Sequence, residues 1–356
     1  MARFGKGTQR STAFMGRLLI GRWLVATAMA TAMATAMAAA WTDVRAQAQR
    51  VSVPSLDRDT QGGPVMLLGH WSPSSGPVGD AGAPKPARGA MLLLHGCSGP
   101  YDASGRLGSR MVTYTEQLNR RGWSVLVLDS FTTRGERELC TQPLNGRRIT
   151  QAHRRLDAWG ALAWLAAQPG VDPARLGLLG WSNGGSTVLA TIDAQRLARR
   201  PAEVPLPAFA VAYYPGCAEA LQGGVRAGVP VLLQLGQADD WTPAYTCENW
   251  AQQASLSRPT DAMPVGGGGD GSAGANGEAS GAASGAASAA VSPSGPRVEV
   301  VLYPGAHHGF DGEGPVRLRR DVPNGVNRGQ GVHVGGDPTA RRESLLRLEQ
   351  WLMRYE

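Results

Sequence analysis

One passage narrows the folds open to this chain. In Leu178-Leu179-Gly180-Trp181-Ser182-Asn183-Gly184-Gly185 an apolar strand runs through G-x-S-x-G into a helix-like stretch from Ser186. A serine on so sharp a strand-to-helix turn leaves no room for side chains two residues to either side, so Gly180 and Gly184 answer a steric demand. Gly185 then lets the helix press close to a sheet. A bare G-x-S-x-G says little in a chain with 48 glycines. The flanking strand and helix make Ser182 a candidate nucleophile rather than part of an ordinary glycine-rich turn.

Three further apolar runs end in groups of matching chemistry. Met91-Leu92-Leu93-Leu94 leads into His95-Gly96-Cys97-Ser98-Gly99, a loop whose backbone can face a developing oxyanion; the N–H groups of Cys97 and Asn183 are the candidate donors. Val231-Leu232-Leu233-Gln234-Leu235-Gly236 delivers Asp239 and Asp240. Val298 to Gly305 runs into Ala306-His307-His308-Gly309-Phe310. The order nucleophile, acid, base is the one found on α/β-hydrolase sheets. These residues alone leave open which carboxylate and which histidine would take part.

The rest of the chain alternates strand and helix patterns. Short β patterns at Val51 to Leu56 and Val65 to His70 come first. Met111, Tyr114 and Leu118 mark one helix face; Leu156, Trp159, Leu162, Ala163 and Ala166 mark another. Thr242 reads as an N-cap, with Pro243 opening a helix that carries Cys247 and Trp250, and Asp337-Pro338 repeats that start for a C-terminal helix burying Leu345, Leu348, Leu352 and Tyr355. Strands separated by helices imply a mostly parallel sheet covered on both faces.

Together, His95-Gly96-Cys97, Gly180 to Gly185, Gly236-Gln237-Ala238-Asp239-Asp240-Trp241-Thr242-Pro243 and Tyr303 to Phe310 resemble the dienelactone hydrolase family, from about Val51 to Tyr355. The resemblance implies an α/β-hydrolase fold, with a mostly parallel central sheet and helices on both faces. It implies hydrolysis of a small-molecule ester through an acyl-enzyme, without a cofactor. The family's spacing of Gly, Asp and Pro selects Asp239 over Asp240, and its histidine before Gly-Phe selects His308 over His307. Typical members carry cysteine where this chain has Ser182, and the His95 loop lacks their acidic residue, so a serine carboxylesterase activity is expected rather than turnover of dienelactone. The family's substrate arginine falls near Arg134, and Trp181 and Phe310 flank the site as candidate acyl-pocket residues. Strand adjacency in this fold implies disulfides Cys97–Cys140 and Cys217–Cys247, one of three pairings that four cysteines allow.

The formal charge of +7 is concentrated early: in residues 1–48 six basic side chains face Asp43 alone, giving +5 and leaving +2 for the remainder. A basic leader gives no case for nucleic-acid binding. That leader, with its Ala/Thr/Met-rich run and Ala46-Gln47-Ala48, reads as a secretory signal cleaved after Ala48, Ala40 being the rival site, Met15 an alternative start and an uncleaved anchor the other reading. Residues 49–356 are then one exported domain, periplasmic or secreted, with no further membrane span and no indication of oligomeric state. Residues 264–296, almost wholly Gly, Ala and Ser, lack the apolar side chains a fold needs and read as a disordered insertion, a lid or tether being the alternative. No spaced ligand cluster accompanies His307-His308, so no metal is expected, and His333 has no assignable role. A small peptidase of the same fold and a catalytically silent binding protein are the competing readings of function.

Overall fold

The computed structural model describes residues 48–74, 89–255 and 296–356. The leader as far as Gln47, and residues 264–295 of the Gly/Ala/Ser-rich stretch, lie outside the described residues. Eight strands form one sheet in the order β1-β2-β4-β3-β5-β6-β7-β8. They are β1 (Gln49–Arg58), β2 (Pro64–Ser72), β3 (Gly89–Leu94), β4 (Trp123–Asp129), β5 (Leu176–Trp181), β6 (Phe209–Tyr213), β7 (Val231–Gly236) and β8 (Val298–Tyr303). β2 is antiparallel to β1 and β4, and every pair from β4 onward is parallel. This is the α/β-hydrolase arrangement.

Every residue of β3 to β7 is buried, which explains their unbroken apolar runs: a parallel strand with helices above and below has no face for water. Alternate residues still face different cores. Leu92, Leu94, Leu126 and Leu178 meet the helices Gln151–Ala166, Asn183–Thr191 and Ala244–Ser255 through Trp159, Leu162, Val188 and Trp250. Met91, Leu93, Val125 and Leu179 meet the helices Ser109–Arg120 and Pro338–Leu352 through Tyr114, Leu118, Leu348 and Trp351. The last helix starts as its sequence implies, with the Asp337 carboxylate accepting from the Thr339 and Ala340 N–H groups at 2.9 Å each.

Strand order reverses direction beside β3, whose neighbours are β4 and β5. At such a switch the connections leave to opposite sides and open a crevice at the carboxyl ends of the strands. The loops after β3, β5, β7 and β8 all gather there. Two disulfides tie this end together: Cys97 to Cys140 and Cys217 to Cys247, each with Cα atoms 5.0 Å apart. A two-stranded hairpin absent from the sequence reading, β9 (Arg317–Arg319) with β10 (Val332–Val334), follows the His308 loop and joins it through the Gly335 N–H, which donates to His308 O at 3.0 Å. Among the described residues no helix is long and apolar enough to cross a membrane.

Candidate active site

Ser182 sits between β5 and the helix Asn183–Thr191 at φ 53°, ψ −117°, one of two non-glycine residues with positive φ among those described. The strain is imposed from both sides. A Cβ on Gly180 would lie 2.3 Å from the Gly184 carbonyl oxygen, and one on Gly184 would lie 1.9 Å from that of Leu94. Neither backbone can yield, so the turn requires glycine at both places. The Ser182 N–H is held by the Tyr213 carbonyl at 2.9 Å.

His308 Nε2 lies 2.9 Å from Ser182 Oγ, and His308 Nδ1 lies 2.8 Å from Asp239 Oδ2. With Asp239 ionised, the Nδ1–H donates to it and Nε2 is left to accept from the serine hydroxyl. Asp239 has every acceptor direction filled. Its Oδ1 takes the Trp241 and Thr242 N–H groups at 2.8 Å each, and its Oδ2 takes His308 and the Thr242 hydroxyl at 2.9 Å. A buried carboxylate so surrounded keeps its position. Asp239 and His308 are 4% and 3% exposed.

Thr242 is therefore not a helix cap. Its hydroxyl lies within 3.1 Å of Tyr214 O, Asp239 Oδ2 and His308 Nδ1, turned into the site and away from the helix that follows. The rings of Tyr214 and Trp241 enclose His308, each with its centroid 4.6 Å away.

The helix Asn183–Thr191 begins at Asn183, so the Asn183 N–H has no intrahelical acceptor. The Cys97 N–H likewise has no hydrogen-bond partner among the described residues, while the Cys97 carbonyl is pinned by the Leu139 N–H at 2.7 Å. Arg154, on the buried side of the helix Gln151–Ala166, joins these two loops. Its guanidinium donates to the Asn183 side-chain carbonyl and to His95 O, the latter at 2.9 Å. His95 is itself fully enclosed; burial first, then the Arg154 charge, pushes its imidazole down to about 3. Its ring is neutral, with Nδ1–H donating to Gly96 O at 2.8 Å and Nε2 accepting from the Ser130 N–H at 3.3 Å.

Behind His308 lies Asp311, buried and fork-bound by Arg110 at 2.9 and 3.0 Å, with further donors in Tyr114, Trp181 and Tyr214. Burial opposes its ionisation, but the Arg110 charge and these donors outweigh it and hold the carboxyl below its usual range. This network occupies two residues given a different part above. Trp181 is 1% exposed with its N–H on Asp311, and Phe310 is 0% exposed among Tyr213, Tyr214 and Tyr303, so both pack the loop from behind and neither lines the cleft.

Arg134 is also corrected. It is held by Asp57 at 2.8 Å, Asp157 at 2.7 Å and Ser130 O at 2.9 Å, all its hydrogen-bonding directed into the protein. The arginines that lie on the cleft are Arg147 and Arg328. The cleft, of about 640 Å³, opens over Ser182 between Cys97, Asn183, Ile149, Trp241, Tyr245 and Arg147.

Asp240 and His307 belong to a second cluster. Asp240 takes the His333 ring at 2.7 Å and the His333 N–H at 2.8 Å, and the His307 and His333 rings lie 5.3 Å apart. The sequence reading found no cluster beside the histidine pair because its third member is contributed by β10.

No family model and no curated protein matches this chain. Its structure is similar to several solved ones. Esterase 2 of Thermogutta terrifontis, with propionate bound, is 17% identical at TM-score 0.50, covering 88% of this chain and 96% of that one. A Klebsiella pneumoniae protein assigned as a dienelactone hydrolase is 16% identical at TM-score 0.51, covering 86% and 98%. A dienelactone hydrolase-like promiscuous phosphotriesterase from metagenomic libraries is 17% identical at TM-score 0.51, covering 87% and 99%. The shared fold is the α/β-hydrolase fold.

Proposed function

We propose that this chain is an exported serine hydrolase that cleaves small-molecule carboxylic esters through Ser182, His308 and Asp239. The observation that carries the reading is the unbroken relay from Ser182 Oγ to His308 Nε2 and from His308 Nδ1 to Asp239 Oδ2, at 2.9 and 2.8 Å, on a strained turn under an open cleft. Ser182 Oγ attacks the ester carbonyl while His308 Nε2 takes its proton. Asp239 holds the imidazole in the required tautomer and stabilises the imidazolium. The N–H groups of Cys97 and Asn183 receive the developing oxyanion, with Arg154 and the Cys97–Cys140 disulfide holding the two loops that carry them. His308 then returns the proton to the leaving alkoxide, leaving an acyl-Ser182. A water activated by the same imidazole releases the acid and restores the serine. The chemistry needs no cofactor.

The likeness to an esterase and to dienelactone hydrolase-like proteins supports ester chemistry. Two disulfides and the basic, Ala-rich leader support export, since such bonds persist in oxidising compartments. The test is labelling with a fluorophosphonate followed by peptide mapping, then turnover of nitrophenyl esters of rising acyl length. Modification of Ser182 and saturable hydrolysis are expected. A folded protein that neither reacts with the probe nor hydrolyses any of the esters would exclude the proposal.

A further inference from the structure

We propose that Asp240, His307 and His333 form a zinc site beside the Ser182 cleft, bracing the two loops that carry Asp239 and His308. Each of the three offers one ligand atom, and these atoms lie within 4.8 Å of one another. They come from separate segments: Asp240 follows β7, His307 follows β8, and His333 is the middle residue of β10. An ion held by all three would cross-link the ends of two parallel strands to the hairpin.

The donor set suits zinc. Two imidazoles and one carboxylate are the ligand types of three-ligand zinc centres, whose fourth position stays with water. Imidazole excludes magnesium and calcium, which prefer oxygen throughout. A tetrahedral ion with bonds of about 2.0 to 2.1 Å spaces its ligand atoms about 3.3 Å apart. Asp240 and His333 are already at 2.7 Å. Rotation of the His307 and His333 side chains closes the remainder, and the His333 side chain, 46% exposed, has room to turn and leaves the fourth position to solvent.

The state of His307 is the second observation. It makes no hydrogen bond among the described residues, and its Nδ1 is buried without a partner. A buried imidazole nitrogen left so has given up water without gaining a partner. Beside it His308 is fully engaged, so the two histidines differ in commitment although they are chain neighbours. His307 is an uncommitted ligand aligned with a carboxylate and a second imidazole.

Of the charged groups on adjoining segments, Asp239 is turned away into its four hydrogen bonds and Arg319 of β9 is paired with Asp321 at 2.6 Å. Among the described hydrogen bonds and ion pairs, no arginine or lysine engages the Asp240 carboxylate.

The test uses the untagged full chain, stripped with a chelator and titrated with Zn2+ by calorimetry. One equivalent is expected to bind, and Co2+ in its place is expected to give the visible absorption of a low-coordinate nitrogen and oxygen site. His307→Ala loses no described hydrogen bond, so it should fold and weaken binding by more than about 100-fold, since even outer ligand partners are worth 10- to 100-fold. His333→Ala, which also loses the ring hydrogen bond to Asp240, should do the same. At about a hundred times its dissociation constant, Zn2+ should raise the wild-type melting temperature by roughly 5 °C and leave His307→Ala unmoved. Absence of saturable binding by wild type, or equal binding by His307→Ala, overturns the site. Binding lost in His308→Ala but retained in His307→Ala overturns it too, by placing the ion on the serine relay. No arm depends on ester turnover, so the site and the proposed function fail separately.

Discussion

Asp239 and Asp240 leave the end of β7 as neighbours, and His307 and His308 leave the end of β8 as neighbours, yet the four residues divide into two unlike clusters. The inner one, Asp239 with His308, is almost sealed, and the carboxylate has each acceptor direction matched by a donor. The outer one, Asp240 with His307 and His333, is partly open, and one imidazole has no hydrogen bond at all among the described residues. The two side chains of each pair meet different partners, so each doubled residue contributes one copy to each cluster. Satisfaction makes the inner cluster rigid and suited to proton transfer. Incomplete satisfaction makes the outer one available.

The sharpest way to break this division is to remove each histidine in turn. His308→Ala should lower turnover of a nitrophenyl ester by about three to six orders of magnitude, as should Ser182→Ala, and the double variant should be little worse because the residues act as a unit. His307→Ala in metal-free protein should cost less than about tenfold. Steady-state kinetics on one ester decides it, and a crippled His307→Ala beside an active His308→Ala would exchange the two roles.

The carboxylates should divide in the same way. Asp239→Asn keeps the shape but supplies an amide where the imidazole needs an acceptor, and should cost about 10³- to 10⁴-fold in kcat. Asp240→Asn should leave kcat within severalfold. Equal losses in the two variants would show that the outer carboxylate shares the charge stabilisation.

Behind the inner cluster, Asp311→Asn tests how much of its rigidity comes from the buried network. Removing the charge leaves Arg110 without its partner and should destabilise the protein by about 3 to 5 kcal/mol by chemical denaturation at pH 7. The folded carboxyl is held below its ordinary 3.8, so its contribution is present above that value and is lost as pH falls through the lowered one. The variant should therefore lack part of the wild type's acid instability. A loss below about 1 kcal/mol would mean that the network is incidental.

The smallest effect concerns His95, whose imidazole is pushed from 6.5 down to about 3 in the fold. Between those values the unfolded chain binds a proton that the folded chain refuses, so stability is full above about pH 6.5 and declines as pH falls below it. His95→Gln should reduce the slope of unfolding free energy between pH 6 and 4 by up to about 1.4 kcal/mol per unit. An unchanged slope would mean that the loop opens to admit the proton.

Much of this molecule is written locally. The unbroken apolar runs of β3 to β7 report burial on both faces, and Gly180, Ser182 and Gly184 report a turn whose clashes arise within a few residues and one adjacent strand end. Strand order and loop position bring each cysteine close to its partner, and the Asp337 cap follows from backbone groups two and three residues on. The polar groups that hold the site were not legible, because each is defined by a partner distant in sequence. Arg134 reads as a substrate arginine until Asp57 and Asp157 claim it. Arg154 carries no signal in the sequence, and only the fold brings it between His95 and Asn183. Thr242 reads as a cap and His333 as a residue without a role, and each, like Asp311, acquires its partner only when the ends of β5, β6, β7 and β8 and the β9–β10 hairpin converge. Periodicity and turn chemistry are short-range consequences of backbone geometry, so sequence reveals them. Hydrogen bonding between buried polar groups has no period, and tertiary structure alone decides which donor meets which acceptor.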